Sequence, residues 1–482
     1  MNGIAELLSH GAHHRPVFLA ARGTARITHG DLRGAADRWG DALDRAGIAR
    51  GARIAIAVAD PLTFATVHLA VLAAGRVSVP LDPGAPAAER RRTTGRTRPV
   101  LLVTDGGPAT GDLPTVVVDH AGRPGPLPVV GPHRGSDDGG ATLLATSGST
   151  GEPKGVLLTA DRLRHVARAV ADHLELTPAD RGLTPLPLFH VNAQVVGLLA
   201  TLTAGASLVL DARFHRTDFW ERARAHDVTW INAVPAVLTV LGRDPVDPVP
   251  PPGLRLLRSA SAPLPAAVRT AVEERTGVRV VESYGMTEAA SQITAAPLHE
   301  PCPPGSAGRA AGAEVAVHDA AGHPVGPGVR GRVWIRGAGV ITAYEDGRAA
   351  ERFAAGWLDT GDVGHLDDAG FLFLAGRDDD VINRGGELLH PREIEEVLLG
   401  DPRVAEAVVV GRPHDVLGAV PVACVRATRG GAELADALHA RCRAELSRWK
   451  CPVDIQVLAD LPRGATGKVR RADLRELVAA GA

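Results

Sequence analysis

Residues 141–159, ATLLATSGSTGEPKGVLLT, hold the chain's most informative chemistry. An apolar stretch enters this segment and another leaves it. Between them lie Thr146, Ser147, Gly148, Ser149, Thr150, Gly151, Glu152, Pro153, Lys154 and Gly155. Glycine lets backbone N–H groups turn inward and leaves no Cβ in the way of a bulky anion. The hydroxyls at 146, 147, 149 and 150 add donors, and Lys154 adds a positive charge. The chemistry is that of a phosphate cradle. It is not a Walker A loop, because Lys154 follows a proline and no Ser or Thr follows it. A flexible linker has a similar composition, but the flanking apolar strands and one placed lysine count against it.

Four further clusters follow. In ESYGMTE (282–288), Tyr284 is one of two tyrosines in the chain and could stack on a purine. Thr287 could reach a phosphate oxygen, and Glu288 is a hard oxygen ligand suited to Mg²⁺. GWLDTGDVG (356–364) puts Asp362 at a strand end. There it could accept from a ribose diol or simply cap a turn. GRDDDVINRGGE (376–387) combines Arg377, three acids and the pair Gly385–Gly386. PRGATGKVRR (462–471) places Lys468 in a basic loop, where a lone lysine is ordinarily solvated surface.

These residues need a scaffold, and the hydrophobic pattern supplies one. ARIAIAVAD (52–60) is β-rich, and PLTFATVHLAVLAAG (61–75) opens with proline and ends with glycine, as a helix does. VSVPL, PVLLVTD, TVVVDH, VTWINAV, LRLLRSA and VRVVESYG continue the rhythm of strand and helix. Apolar strands separated by helices predict parallel sheets covered by helices. From about residue 312 the pattern becomes antiparallel, with AEVAVHDAAGHPV and GRVWIRG as strands joined by Gly-containing turns. After GRDDD the chain reads as a separate α+β unit. The expected class is α/β: a large N-terminal domain (1–378) of parallel sheets with a small β-barrel-like part, then a small α+β domain (379–482).

Composition narrows the partners. Lys plus Arg (53) and Asp plus Glu (55) give a net charge of −2, so bulk charge supplies no reason to bind nucleic acid or an anionic membrane. No stretch reaches 18 uncharged apolar residues, and MNGIAELLSHGAHHRP lacks a basic start and a continuous apolar core. Four cysteines without CxxC spacing predict neither a zinc site nor a disulfide framework. A reducing cytoplasm is the expected compartment.

Taken in order, TSGSTGEPKG, YGMTE, TGD, the GRDDDVINRGGE run and PRGATGK resemble the signature segments of the adenylate-forming superfamily. Its members include acyl-CoA synthetases, luciferase-like enzymes and adenylation domains. The resemblance runs from about residue 15 to about residue 475. It implies that Thr146, Ser147, Gly148, Ser149, Thr150, Gly151 and Lys154 handle the β- and γ-phosphates of ATP. Tyr284 would stack on adenine, with the SAPL turn and its Ala262 on the other face. Thr287 would touch the α-phosphate and Glu288 would ligate Mg²⁺. Asp362 and Arg377 would hold the ribose, and Lys468 would bridge the carboxylate and the α-phosphate. Asp379 would be the hinge of a mobile small domain, and Gly385 and Gly386 would line the tunnel for the thiol of coenzyme A.

The acid is read from PLPLFHVNAQ (185–194). Amino-acid adenylation domains carry Asp after the Phe, to pair with the substrate ammonium. Here His190 follows Phe189, which disfavours an amino acid, because an unpaired ammonium is costly to bury. The resemblance implies that His190 closes the acyl pocket near the carboxylate; a core histidine is the structural alternative. The small-acid and oxalate CoA ligase branch is nearest in look. Ser291 and Asn192 stand where oxalyl-CoA synthetases carry histidine, which points to a small or medium acid other than oxalate. The acceptor implied is coenzyme A; a carrier-protein phosphopantetheine or an amine is the alternative.

Overall fold

The computed structural model describes residues 3–480 except 10, 107–112, 129–138, 147–153, 378–379, 385–386, 416, 429–432 and 465–468. The helix Pro61–Ala73 shows how local sequence sets the architecture. The Asp60 carboxylate accepts the Thr63 N–H at 2.8 Å, and Pro61 fills the first helical position. Gly75, at φ +73°, takes the chain out again. Every residue from Leu62 to Leu72 is buried, so the helix is enclosed on all sides and carries no polar stripe. It joins strands Arg53–Ala57 and Val77–Pro80, which pair in parallel.

Those strands belong to a six-stranded sheet. Leu101–Thr104 and Thr115–Val117 extend one side in parallel, and Ala141–Thr146 extends the other. Lys154–Thr159 then turns back antiparallel, with Lys154 opposite Thr146. A second, nine-stranded sheet has a parallel centre: Pro16–Ala20, Ser207–Leu210, Arg181–Thr184, Trp230–Ala233, Leu256–Ser259 and Arg279–Tyr284. One core cluster spans both sheets, joining Ile54 and Ile56 of the first to Leu208, Trp230 and Leu256 of the second. Trp39, fully buried there, donates its indole N–H to the carbonyl of Gly122 at 2.8 Å.

The barrel-like part is a five-stranded antiparallel sheet built on Glu314–His318, Gly331–Arg336, Trp357–Leu366, Phe353–Ala354 and Leu372–Arg377. Residues beyond 380 form a further sheet, in which Val404–His414 and Gly418–Ala427 pair antiparallel. Helices Pro391–Leu399, Glu433–Glu445 and Arg471–Ala480 accompany it. Its two hydrophobic clusters draw only on residues from Ile382 onward. The expected domain boundary, 378/379, lies outside the described residues, as do the proposed hinge Asp379 and Gly385–Gly386. The N-terminal segment forms a short amphipathic helix, Gly3–Ser9, with Ile4 and Leu8 buried. Among the described residues no helix is long and apolar enough to cross a membrane.

Candidate active site

Tyr284 lies at the carboxyl end of a parallel strand, and residues of the antiparallel sheet meet it there. Strand Arg279–Tyr284 ends on Tyr284, and strand Trp357–Leu366 carries Asp362 opposite Arg377 of Leu372–Arg377. That cross-strand register sets an ion pair, with Arg377 Nε 3.0 Å from Asp362 Oδ1. The Tyr284 hydroxyl donates to the other oxygen of the same carboxylate. Burial first, then the Asp362 charge, pushes the Tyr284 phenol well above its usual range, so it stays a donor. Burial opposes the Arg377 charge, but Asp362, Tyr284 and Glu288 around it more than offset that and hold its pKa above the usual value. Three side chains from three strands thus form one rigid group.

Glu288 begins a second group. It is buried, in a one-turn 3₁₀ helix, Thr287–Ala289, with Thr287 half-buried beside it. The Tyr344 hydroxyl donates to Glu288 Oε1 at 2.9 Å and accepts from Arg352 Nη1 at 2.7 Å. Lys154 Nζ lies 5.0 Å from the centroid of the Tyr344 ring, a cation–π contact. The backbone reinforces this approach, since the Glu345 N–H donates to the Gly155 carbonyl at 2.9 Å. Tyr344 therefore ties the hairpin lysine to the Glu288 carboxylate. It sits in no motif, and only its being the second tyrosine of the chain marked it. Among the described residues no group of three or more His, Cys, Asp or Glu converges as a metal site.

The turn after Tyr284 is tight. A Cβ on Gly285 would overlap the carbonyl oxygen of Ser291. Ala290 (φ +49°) and Ser291 (φ +102°) lie in left-handed backbone, so the loop holds strain beside the site. Hydrogen bonds from Ser291 N–H to Met286 O (3.1 Å) and Ile293 N–H to Tyr284 O (2.9 Å) close it.

The acyl-side residues form a separate neighbourhood. His190 is half-buried, and its ring lies 4.4 Å from that of Phe189. A cavity of about 350 Å³ beside Phe189 is lined also by Phe64, Asp82, Leu186 and Asp211. The next residues form a π-helix, Ala193–Leu199, a wide-turned element often found at functional sites. Asn192, just before it, donates to Ser261 Oγ at 3.1 Å, which connects this segment to the exposed SAPL turn and Ala262. Neither the π-helix nor this connection was visible in the motifs. Ser147, Gly148, Ser149, Thr150, Gly151 and Lys468 lie outside the described residues; for Thr146 the strand position alone is described.

A parallel strand ending on a carboxylate-held aromatic ring, beside a hairpin lysine that packs against the tyrosine holding a buried glutamate, is a set of features found in nucleotide-binding α/β enzymes. Residues 8–345 match the family model described as AMP-binding enzyme, and residues 393–468 match AMP-binding enzyme C-terminal domain. The chain belongs to the AMP-binding enzyme family. It is 36% identical to the sulfoacetate–CoA ligase of Cupriavidus necator, over 95% of this chain and 94% of that one. It is 33% identical to the oxalate–CoA ligase of Arabidopsis thaliana, over 94% of each. Among solved structures, ATP-bound MatB from Rhodopseudomonas palustris superposes with a TM-score of 0.89 at 26% identity, covering 99% of this chain and 98% of that one. The o-succinylbenzoate coenzyme A synthetase of Bacillus subtilis, in complex with ATP and magnesium ion, gives 0.86 at 29% identity, covering 98% and 99%.

Proposed function

We propose that this chain is an AMP-forming carboxylate–CoA ligase acting on a small or medium acid that is not an α-amino acid. The observation that carries the reading is the pair of side-chain groups, Tyr284–Asp362–Arg377 and Lys154–Tyr344–Glu288, which follow one another around strand Arg279–Tyr284 and its turn. An ionised carboxylate offers about four lone-pair sites, so Asp362 can keep Tyr284 and Arg377 and still accept from ribose hydroxyls. In this reading the Tyr284 ring stacks on adenine, with Ala262 on its other face. Thr146, Ser147, Gly148, Ser149, Thr150, Gly151 and Lys154 take the outer phosphates, and Thr287 takes the α-phosphate. A single buried carboxylate, Glu288, fits Mg²⁺, which draws most of its ligands from phosphate and water. When bound, the ion supplies charge to the polyphosphate.

The chemistry asks for these groups. A carboxylate is a poor electrophile until it gains a leaving group. One of its oxygens attacks the α-phosphorus in line, and pyrophosphate departs. Two anions approach each other, so placed cations set much of the barrier. Lys154 and Lys468 serve that purpose, and His190 shapes the acid end. The thiolate of coenzyme A then attacks the acyl carbon, and AMP leaves with the bridging oxygen. We assign residues 1–378 to the large domain and 379–482 to a small domain that turns at Asp379 between the steps, with Gly385 and Gly386 leaving room for the pantetheine arm.

The test is an acid panel with ATP, Mg²⁺ and coenzyme A, read by mass spectrometry of the thioester and by AMP and pyrophosphate. Equal yields of acyl-CoA, AMP and pyrophosphate are expected. Formation of ADP, or acyl-AMP that never passes to coenzyme A, would contradict the assignment.

A further inference from the structure

Behind the SAPL turn lies a cation that the protein leaves unbalanced. Arg258, on strand Leu256–Ser259, is completely buried. Its hydrogen-bond acceptors are Asn232 Oδ1 (3.3 Å), Ser283 Oγ (2.9 Å) and Gln292 Oε1 (3.2 Å), all neutral. Among the described residues no carboxylate lies within ion-pair distance of it. Burial pushes its pKa down only to about 9, so the guanidinium remains charged at neutral pH. A buried charge without a counter-charge is costly, and folded chains rarely keep one without use.

The hydrogen bonds around it run one way. Arginine donates and never accepts, so Arg258 must face the oxygen of Asn232. That turns the Asn232 amide nitrogen outward, to donate to Asn192 Oδ1 at 3.0 Å. Asn192 in turn donates to Ser261 Oγ at 3.1 Å. Each bond polarises the next in the same sense. The chain ends on the Ser261 hydroxyl, which is exposed and keeps its proton for a ligand to accept. Close by, two buried acceptors have no partner, Gln194 Oε1 in the π-helix and Thr184 Oγ1 opposite Asn232's end of the neighbouring strand. This polar layer runs from Ser283 and Gln292, beside the Tyr284 turn, to Asn192, just before the acyl-side π-helix.

We propose that Arg258 is a specificity-determining positioning residue: through Asn232, Asn192 and Ser261 its unbalanced charge selects an acid bearing a second anionic group near the carboxylate that is activated. This inference rests on the ligase reading and names its substrate class as short dicarboxylates or sulfonated carboxylates. Such an acid supplies the counter-charge that the protein omits. A plain aliphatic acid of the same size leaves both the cation and the donor chain uncompensated.

The test compares malonate, succinate and sulfoacetate with propionate and butyrate, by kcat/KM for acyl-CoA formation. The wild-type chain is expected to favour the dianions by roughly 10- to 100-fold, the worth of one charge-assisted hydrogen bond. Asn232→Asp and Gln292→Glu each place a carboxylate against Arg258 at nearly unchanged size. Each is expected to remove most of that preference through the KM for the acid, with the KM for ATP within about twofold of wild type. A merely structural role for Arg258 would lower both acid classes in parallel. Wild-type turnover of propionate and butyrate that equals or exceeds the dianions overturns this inference and leaves the ligase reading standing. Dianion preference that survives in both variants overturns it too. No acyl-CoA from any acid overturns the ligase reading and this inference with it.

Discussion

At the scale of single residues, Asp362 is the most connected of the candidates, because Tyr284 and Arg377 both bind its carboxylate. Asp362→Asn keeps the shape and removes the charge. The KM for ATP should rise roughly 10- to 100-fold while the KM for the acid changes little. A change confined to the acid would move Asp362 out of the nucleotide site. Glu282, two residues before Tyr284, adds a pH dependence. Burial raises its carboxyl from the ordinary 4.5 to about 7, against the pull of Arg269 and Arg392. The folded state therefore holds a proton that the unfolded chain has lost, and stability falls as pH rises from about 4.5 to about 7. Glu282→Gln should be the more stable protein at pH 8 by about 3 kcal/mol, with the gap closing near pH 5. Urea titrations at the two pH values check this, and an equal gap at both would refute it. Tyr284, Glu288 and Asp362 were legible because each stands in a recognisable short segment. Tyr344 and Arg258 were not, since a tyrosine or an arginine in an ordinary strand-and-turn sequence declares its role only through what folding brings to it.

Elements tell a similar story at the next scale. The helix Pro61–Ala73 could be read directly, because its ends are written in local chemistry: an Asp cap, a proline at the start and a glycine exit. The hairpin Ala141–Thr146 and Lys154–Thr159 was legible as strands, but its antiparallel pairing was not, because apolar runs do not encode direction. The π-helix Ala193–Leu199 was invisible for a related reason: a fully buried segment whose one polar residue is Gln194 shows no stripe from which to read a period. The loop after Tyr284 is the element most exposed to a small change. Gly285→Ala would drive a methyl into the Ser291 carbonyl, in a loop that the Ser291 and Ile293 N–H bonds hold closed. We expect a loss of at least about 1–3 kcal/mol in denaturant unfolding, with adenylation lost even where the protein still folds. A variant of wild-type stability and activity would show that the turn is not a fixed wall of the site.

At the scale of the whole molecule, alternation of strand and helix announced the α/β class with parallel sheets, but it did not reveal which strands fall in which sheet or that the two share one core. That division depends on which distant strands pair, and Pro16–Ala20 joins Ser207–Leu210 across about half the large lobe's sequence. The C-terminal unit was legible from its change of rhythm, and its separate clusters agree with that reading. Arg243 of the large lobe donates to the Val404 carbonyl at 2.8 Å, a hydrogen bond between the two units. If the small unit turns at Asp379, then Asp379→Pro, which restricts one backbone torsion, should keep acyl-adenylate formation within about tenfold and lose thioester formation. Equal loss of both steps, followed by pyrophosphate exchange and by acyl-CoA yield, would argue against a hinge there. The central claim is that an acid oxygen displaces pyrophosphate from ATP, and isotopic oxygen reports on it directly. With an acid that turns over, labelled with ¹⁸O in its carboxylate, the AMP released on thioester formation should carry one ¹⁸O atom. AMP free of label, alongside labelled acyl-CoA, would contradict the account.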